Sequence, residues 1–110
     1  MKLPPDCVIS REKITRYLLV PLERGDKSAF LALAGYTQEN EAQLLDDIRT
    51  QILPSDAVPA EVNEFGRYFE VRGLLRGPNG VALRVRTIWM TEHLSHGTKF
   101  VTLIPEKRKS

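Results

Sequence analysis

Apolar residues recur along this chain with two different periods, and the change falls near residue 65. Before it they return every three to four positions, as one face of a helix requires. After it they alternate, as a half-buried strand requires. Ile14, Tyr17 and Leu18 mark a first helix over residues 11–20. Ser10 is its N-cap and Pro21 its stop, because a residue before proline is pushed out of the α region. Asp26 is placed to cap a second helix over 27–34, which turns Phe30, Leu33 and Ala34 inward. It ends at Gly35, suited to the left-handed position after a helix. Leu44, Leu45, Ile48 and Ile52 give a third helix, 41–53, the clearest amphipathic stripe, ended by Pro54. Residues 1–9, with Pro4-Pro5, read as an extended lead-in, and 36–40 and 54–63 read as loops.

Strands follow at 67–76, 81–91 and 99–104. Gly77-Pro78-Asn79-Gly80 joins the first two as a hairpin turn, since Asn-Gly tolerates the positive φ such turns need. On the middle strand Val81, Leu83, Val85, Thr87 and Trp89 share one face, and Ala82, Arg84, Arg86, Ile88 and Met90 share the other. The expectation is one α+β domain over residues 1–110: three N-terminal helices packed on one face of a three- to four-stranded antiparallel sheet. Leu44, Ile48, Val85 and Trp89 should be buried together, with the third helix on the central strand. Residues 106–110 read as a frayed, charged tail.

Composition narrows the class. At 110 residues, 42% hydrophobic and 27% charged, the chain can build a core without disulfides or metals. Its single cysteine, Cys7, precludes an internal disulfide, lacks a flanking catalytic pattern and reads as inert. With no apolar run near the ~18 residues of a membrane span, and no signal peptide, a cytoplasmic location and no membrane partner are expected. Charge is uneven: residues 1–65 hold 7 Lys+Arg against 11 Asp+Glu, a balance of −4, and residues 66–110 hold 9 against 3, a balance of +6. Two readings fit. Either the basic half presents an anion-binding face, or the acidic helices neutralise the sheet they pack on.

The candidate chemistry is sparse. His93 and His96 share a polar loop with Glu92, too few ligands for a metal site. They read as solvated loop histidines, or as one general acid or base, which histidine's neutral-range titration allows. No phosphate loop, nucleophile elbow or cofactor motif occurs, so no cofactor is expected. Asp46 and Asp47 are adjacent on a helix, diverge, and make a poor catalytic pair. Arg84 and Arg86 alternate on one strand, with Arg72 and Arg76 on the strand before and Lys99 on the one after. Such a row could track successive phosphates, or could serve only solubility. Tyr68 and Trp89 are candidate stacking surfaces, although Trp89 falls on the apolar face. Lys13 and Tyr17, four apart, share a helix face. Lys27 opens a helix, where a cation opposes the dipole.

Several segments together resemble a bacterial domain family of unknown function, found as small stand-alone proteins and as C-terminal modules. They are residues 9–19, Gly25-Asp26-Lys27-Ser28-Ala29-Phe30, Ala34-Gly35-Tyr36, Glu64-Phe65-Gly66, the Gly77–Gly80 turn, Val85-Arg86-Thr87-Ile88-Trp89 and Phe100-Val101-Thr102-Leu103-Ile104-Pro105. The resemblance spans roughly residues 3–105. More distantly the layout is similar to the barnase–EndoU–colicin–RelE superfamily of ribonuclease toxins, several of which end in a strand of the kind Thr102-Leu103-Ile104-Pro105 forms. That resemblance implies metal-independent endoribonuclease chemistry on RNA, in a toxin module controlled by a small antitoxin or immunity protein. It maps Arg86, Thr87 and Thr102 to sheet positions by motif, with Lys13, Lys27, His93 and His96 as candidates by type. On this reading Arg86, Thr102, His93, His96 and Lys27 carry catalysis, and Arg84, Arg72, Lys13 and Tyr17 bind the ligand. The alternative is a non-catalytic protein-binding module. Convergence of Arg86 and Thr102 with a histidine or lysine in one cleft would separate the two.

Overall fold

A computed structural model describes residues 1–19 and 27–106, without the side chains of residues 15–17. The expected stops and caps at Pro21 and Asp26, and the side chain of Tyr17, lie outside the described residues. The helical half departs from the expected three α-helices. Among the described residues there are two, α1 (Ser28–Ala32) and α2 (Glu41–Asp47). The first expected helix takes π geometry over Lys13–Leu18, and a second π segment, Ile48–Ile52, continues α2.

Both π segments have one cause. Each ends in two adjacent apolar residues, Leu18-Leu19 and Ile52-Leu53, which stand four and five positions after an inward isoleucine, Ile14 or Ile48. Widening the turn lets Ile14, Leu18 and Leu19, and likewise Ile48, Ile52 and Leu53, all reach the core. The bonds Leu19 N–H to Ile14 C=O and Leu53 N–H to Ile48 C=O, both 3.0 Å, close those wider turns. An apolar spacing of four does not separate α from π winding. In α1 the phase also differs from expectation: Leu31 and Ala34 are buried, whereas Leu33 is 62% exposed. Gly35 does take the left-handed conformation, with φ +91°.

The basic half forms an antiparallel meander, β1 (Ala57–Val62), β2 (Gly66–Arg76), β3 (Ala82–Glu92) and β4 (Thr98–Pro105), in that spatial order. β1 falls where a loop was expected, because Pro59 argues against a strand. At an edge it is tolerated. Ala57 donates its N–H to Met1 on the open side, so two residues on, the donor that Pro59 lacks would face away from β2. The lead-in is also better anchored than its composition suggests. Leu3, Cys7 and Ile9 are buried, and Val8 bonds Thr98 and Phe100 along the free edge of β4. The charged tail begins later than expected: Glu106 donates its N–H to the Arg84 carbonyl.

One face of the sheet meets the helices. Phe69, Val71 and Leu75 of β2, Leu83, Val85, Thr87 and Trp89 of β3, and Phe100 and Leu103 of β4 are buried there. Leu44 and Ile48 join the same core, as expected. Val81 does not; it precedes β3 and is exposed. The Ile48–Ile52 segment packs on β2, not on β3 as expected. With β1 added, β2 becomes a central strand, and Gly73 leaves room in it: a Cβ there would lie 3.0 Å from Ile52 Cδ1.

Polar groups inside this layer are paired. Trp89 donates its indole N–H to Thr87 Oγ1 (2.7 Å), which donates in turn to the Val71 carbonyl (2.9 Å). Asp47 accepts from the Tyr36 hydroxyl (2.5 Å) and from Gln43 (2.8 Å). Burial first, then the bond to Asp47 and its charge, raise the Tyr36 phenol above its ordinary range. Asp47 is thus a structural tie between α2 and the turn after α1. Gln51 bonds both the N–H and the C=O of Arg76, standing in for the strand that β1 does not extend to supply.

Two stability predictions follow from this packing. Ile48→Ala should cost about 2–5 kcal/mol in urea unfolding; a cost under about 0.5 kcal/mol would place Ile48 outside the core. Thr87→Val keeps the shape and leaves the buried Trp89 N–H unpaired, while Val71 C=O loses only its side-chain bond, so a loss of about 1–3 kcal/mol is expected. An unchanged midpoint would show that the indole N–H finds another partner.

Candidate functional site

The second face of the sheet has no helix packed on it among the described residues. What it displays is decided by strand register. Glu70 pairs with Ile88, and Ile88 with Thr102, so these three form one row across β2, β3 and β4. The adjoining row is Arg72, Arg86 and Ile104. Thr102 reaches this face because of a bulge. Trp89 pairs with Phe100 but Ile88 with Thr102, so Val101 is an extra residue. Without it, Phe100 and Leu103, three apart, would point to opposite faces. With it, both enter the core and Thr102 turns outward.

Lys27, just before α1, donates from Nζ to Thr102 Oγ1 at 2.7 Å. It carries a depressed pKa, because burial disfavours its charge and, second, the Lys13 ammonium repels it. Lys13, Lys27 and Thr102 are thus brought to one corner of the sheet. Arg86 stands diagonally from Thr102 on the same face, a separation of about 7–8 Å for such neighbours. Its guanidinium bonds Glu70 Oε1 at 3.2 Å, and the same oxygen accepts from Arg72 Nε at 3.1 Å. Arg72 also reaches Glu106 (3.4 Å). Arg84 lies further along the face, exposed, with no carboxylate partner among the described residues.

The histidines lie elsewhere. His93 and His96 sit in the β3–β4 loop, beyond the Thr98 end of β4, and four strand residues put them about 13 Å from Thr102. His93 Nε2 lies 2.8 Å from the Asn63 carbonyl, which only accepts, so that nitrogen carries the proton. With Glu64, Phe65, Tyr68, Met90, Glu92, Leu94 and Lys99, His93 lines a cleft of about 380 Å³. His96, at φ +60°, borders a second, shallower hollow with Arg67 and Thr91. No group of three His, Cys, Asp or Glu side chains that could hold a metal occurs among the described residues. Trp89 is fully buried and therefore offers nothing a base could stack on; Tyr68 is half-exposed.

Glu70 was missed in the sequence. Its signal was there: Glu70 and Arg72 are two apart on a strand and so share a face. The Lys27–Thr102 contact joins residues 75 positions apart and had no signal beyond residue type.

The depressed Lys27 pKa has a measurable consequence. Below its folded-state pKa, the folded protein carries the full penalty of the buried charge. Stability attributable to Lys27 therefore rises as pH climbs from that value towards the ordinary lysine pKa of 10.5. NMR titration of selectively labelled lysines should show Lys27 titrating below the other lysines, and Lys13→Gln should move it upward. An unmoved Lys27 in that variant would mean that the two ammonium groups do not interact.

No curated protein and no solved structure matches the chain, and among the described residues no helix is long and apolar enough to cross a membrane. One family model does match, over residues 4–107, nearly the whole length: the chain belongs to the family described as Domain of unknown function (DUF6883).

Proposed function

We propose that the open sheet face is the active face of a metal-independent endoribonuclease, with the scissile phosphate lying over Ile88. The observation that carries this reading is the row Glu70–Ile88–Thr102, with Lys27 bonded to Thr102 and Arg86 and Arg72 bonded to Glu70. In-line attack by a ribose 2′-hydroxyl needs a base on one side of phosphorus, an acid on the other, and cations for the charge that builds between them. Glu70 and Thr102 are two strand spacings apart, about 9–10 Å between backbones, which leaves room for a phosphodiester. Glu70 takes the 2′-hydroxyl proton as the P–O2′ bond forms. Arg86 and Arg72 exchange part of their contact with Glu70 for the phosphate oxygens. As the P–O5′ bond breaks, the Lys27 ammonium gives its proton to the departing oxygen. The products are a 2′,3′-cyclic phosphate and a 5′-hydroxyl. Lys13 adds charge beside Lys27, Thr102 holds the Lys27 amine in place, and Arg84 extends the phosphate track. His93 and His96 take no part. In a toxin setting, a small antitoxin or immunity protein would inhibit by covering this face.

A second reading is supported by the same ion pairs. Arg72 and Arg86 are already neutralised by Glu70 and Glu106, and Val58 and Leu74 are exposed on this face. A mixed polar and apolar sheet face of that kind suits a non-catalytic protein-binding module, which predicts no cleavage at all.

Incubation of the purified protein with mixed RNA in excess EDTA separates the two. Wild type should cleave, and Glu70→Gln and Lys27→Met should each slow cleavage by about 10²–10⁴-fold, the usual worth of a general acid or base. Arg86→Ala should abolish cleavage with little change in thermal midpoint, since partly exposed ion pairs contribute about 0–1 kcal/mol. Wild-type protein that neither binds RNA at low salt nor cleaves it would sink the ribonuclease reading. Undiminished cleavage by Glu70→Gln would remove Glu70 from it.

A further inference from the structure

The cleft beside His93 has a construction that neither the fold nor the proposed chemistry requires. Phe65, 64% exposed, stands at the turn between β1 and β2. It is nevertheless fixed: its N–H donates to Asn63 Oδ1 (2.9 Å), and its carbonyl accepts the His93 N–H (3.2 Å). The His93 ring is itself tethered to the Asn63 carbonyl. The backbone that carries this exposed ring is thus fixed, so ordering on ligand binding is confined to the side-chain rotamer. Tyr68 lines the cleft beside it, buried Met90 forms the floor, and the polar rim is Glu64, Glu92 and Lys99. At about 380 Å³ the cleft is of small-ligand size.

Its position connects it to the proposed active face. Tyr68 pairs with Met90 and Met90 with Lys99, and this row lies two residues along the strands from Glu70–Ile88–Thr102. A strand rises about 3.3 Å per residue, so the cleft opens about 7 Å from that row, on the same side of the sheet. A flat, apolar-faced, polar-edged group attached to a phosphate on the active face would arrive here.

We infer that this cleft receives one unstacked nucleobase of the bound strand, held against the Phe65 ring with Tyr68 beside it, and that the substrate is therefore single-stranded RNA. The inference rests on the reading of the sheet face as a phosphodiester site. In a duplex both faces of a base are covered by its neighbours, so only a base in a single strand, loop or bulge can offer one to Phe65. Stacking on an aromatic ring tolerates any base, because every base has a π face. The rim carboxylates and Lys99 would then act on base edges and not on phosphate.

The test uses oligodeoxynucleotides, which bind but lack the 2′-hydroxyl that attacks. Anisotropy titrations compare a short single strand, an abasic strand of equal charge and a duplex, on wild type, Phe65→Ala and Phe65→Trp. The base-bearing single strand should bind wild type about tenfold tighter than the abasic strand, and also tighter than the duplex. Phe65→Ala should remove that preference while leaving abasic affinity unchanged, and Phe65→Trp should retain it. Equal affinity for base-bearing and abasic strands, or a preference that survives Phe65→Ala, overturns the base cleft and leaves the phosphate face standing. Binding of neither strand, with no cleavage of RNA, overturns both.

Discussion

The fold depends on keeping one sheet face dry around Trp89. Its ring, edge-on to Phe100 with centroids 5.3 Å apart, is the largest fully buried side chain among the described residues. An indole at that depth needs an acceptor, and Thr87, two residues away on the same face, supplies it while donating to Val71 on the neighbouring strand. The helical segments follow from the same need. Lys13–Leu18 and Ile48–Ile52 widen into π turns because that brings the last apolar pair of each onto the layer above the sheet. Gly73 lets Ile52 approach β2 closely enough to close it.

Covering one face with helices leaves the other open among the described residues, and a single extra residue decides what that face carries. Val101 allows Phe100 and Leu103 to enter the core together, and the consequence is an outward Thr102 beside Lys27. A feature that serves packing on one side thereby builds the corner of the candidate site on the other. The same economy applies to the edges: Pro59 and Val8 blunt the two edge strands.

The acidic helices form no ion pair with the cations of the sheet among the described residues. Among the described residues, the ion pairs of the sheet's cations use the sheet's own carboxylates: Glu70 for Arg72 and Arg86, Glu106 for Arg72, and Glu92 for Lys99. The excess of positive charge therefore remains on the basic half, but it is interleaved with carboxylates and not presented as a bare arginine track.

Much of this was legible in the chain because local patterns report local geometry. The helical first half and stranded second half, the Asn79-Gly80 turn, the left-handed Gly35 and the two faces of β3 from Leu83 onward each depend on residues a few positions apart and stand as the pattern implied, although the strands begin at Ala57 and not near residue 65. Even Glu70 beside Arg72 was available from alternation alone. What the chain could not declare depends on partners distant in sequence. β1 is a strand only because an edge forgives Pro59, and the histidines are remote only because β4 runs away from them. Lys27 meets Thr102 only because a bulge in one strand turns a hydroxyl towards a lysine before α1. Side-chain period is set within each strand or helix, whereas which sides meet is set by packing across the sheet, and that is where the candidate site was decided.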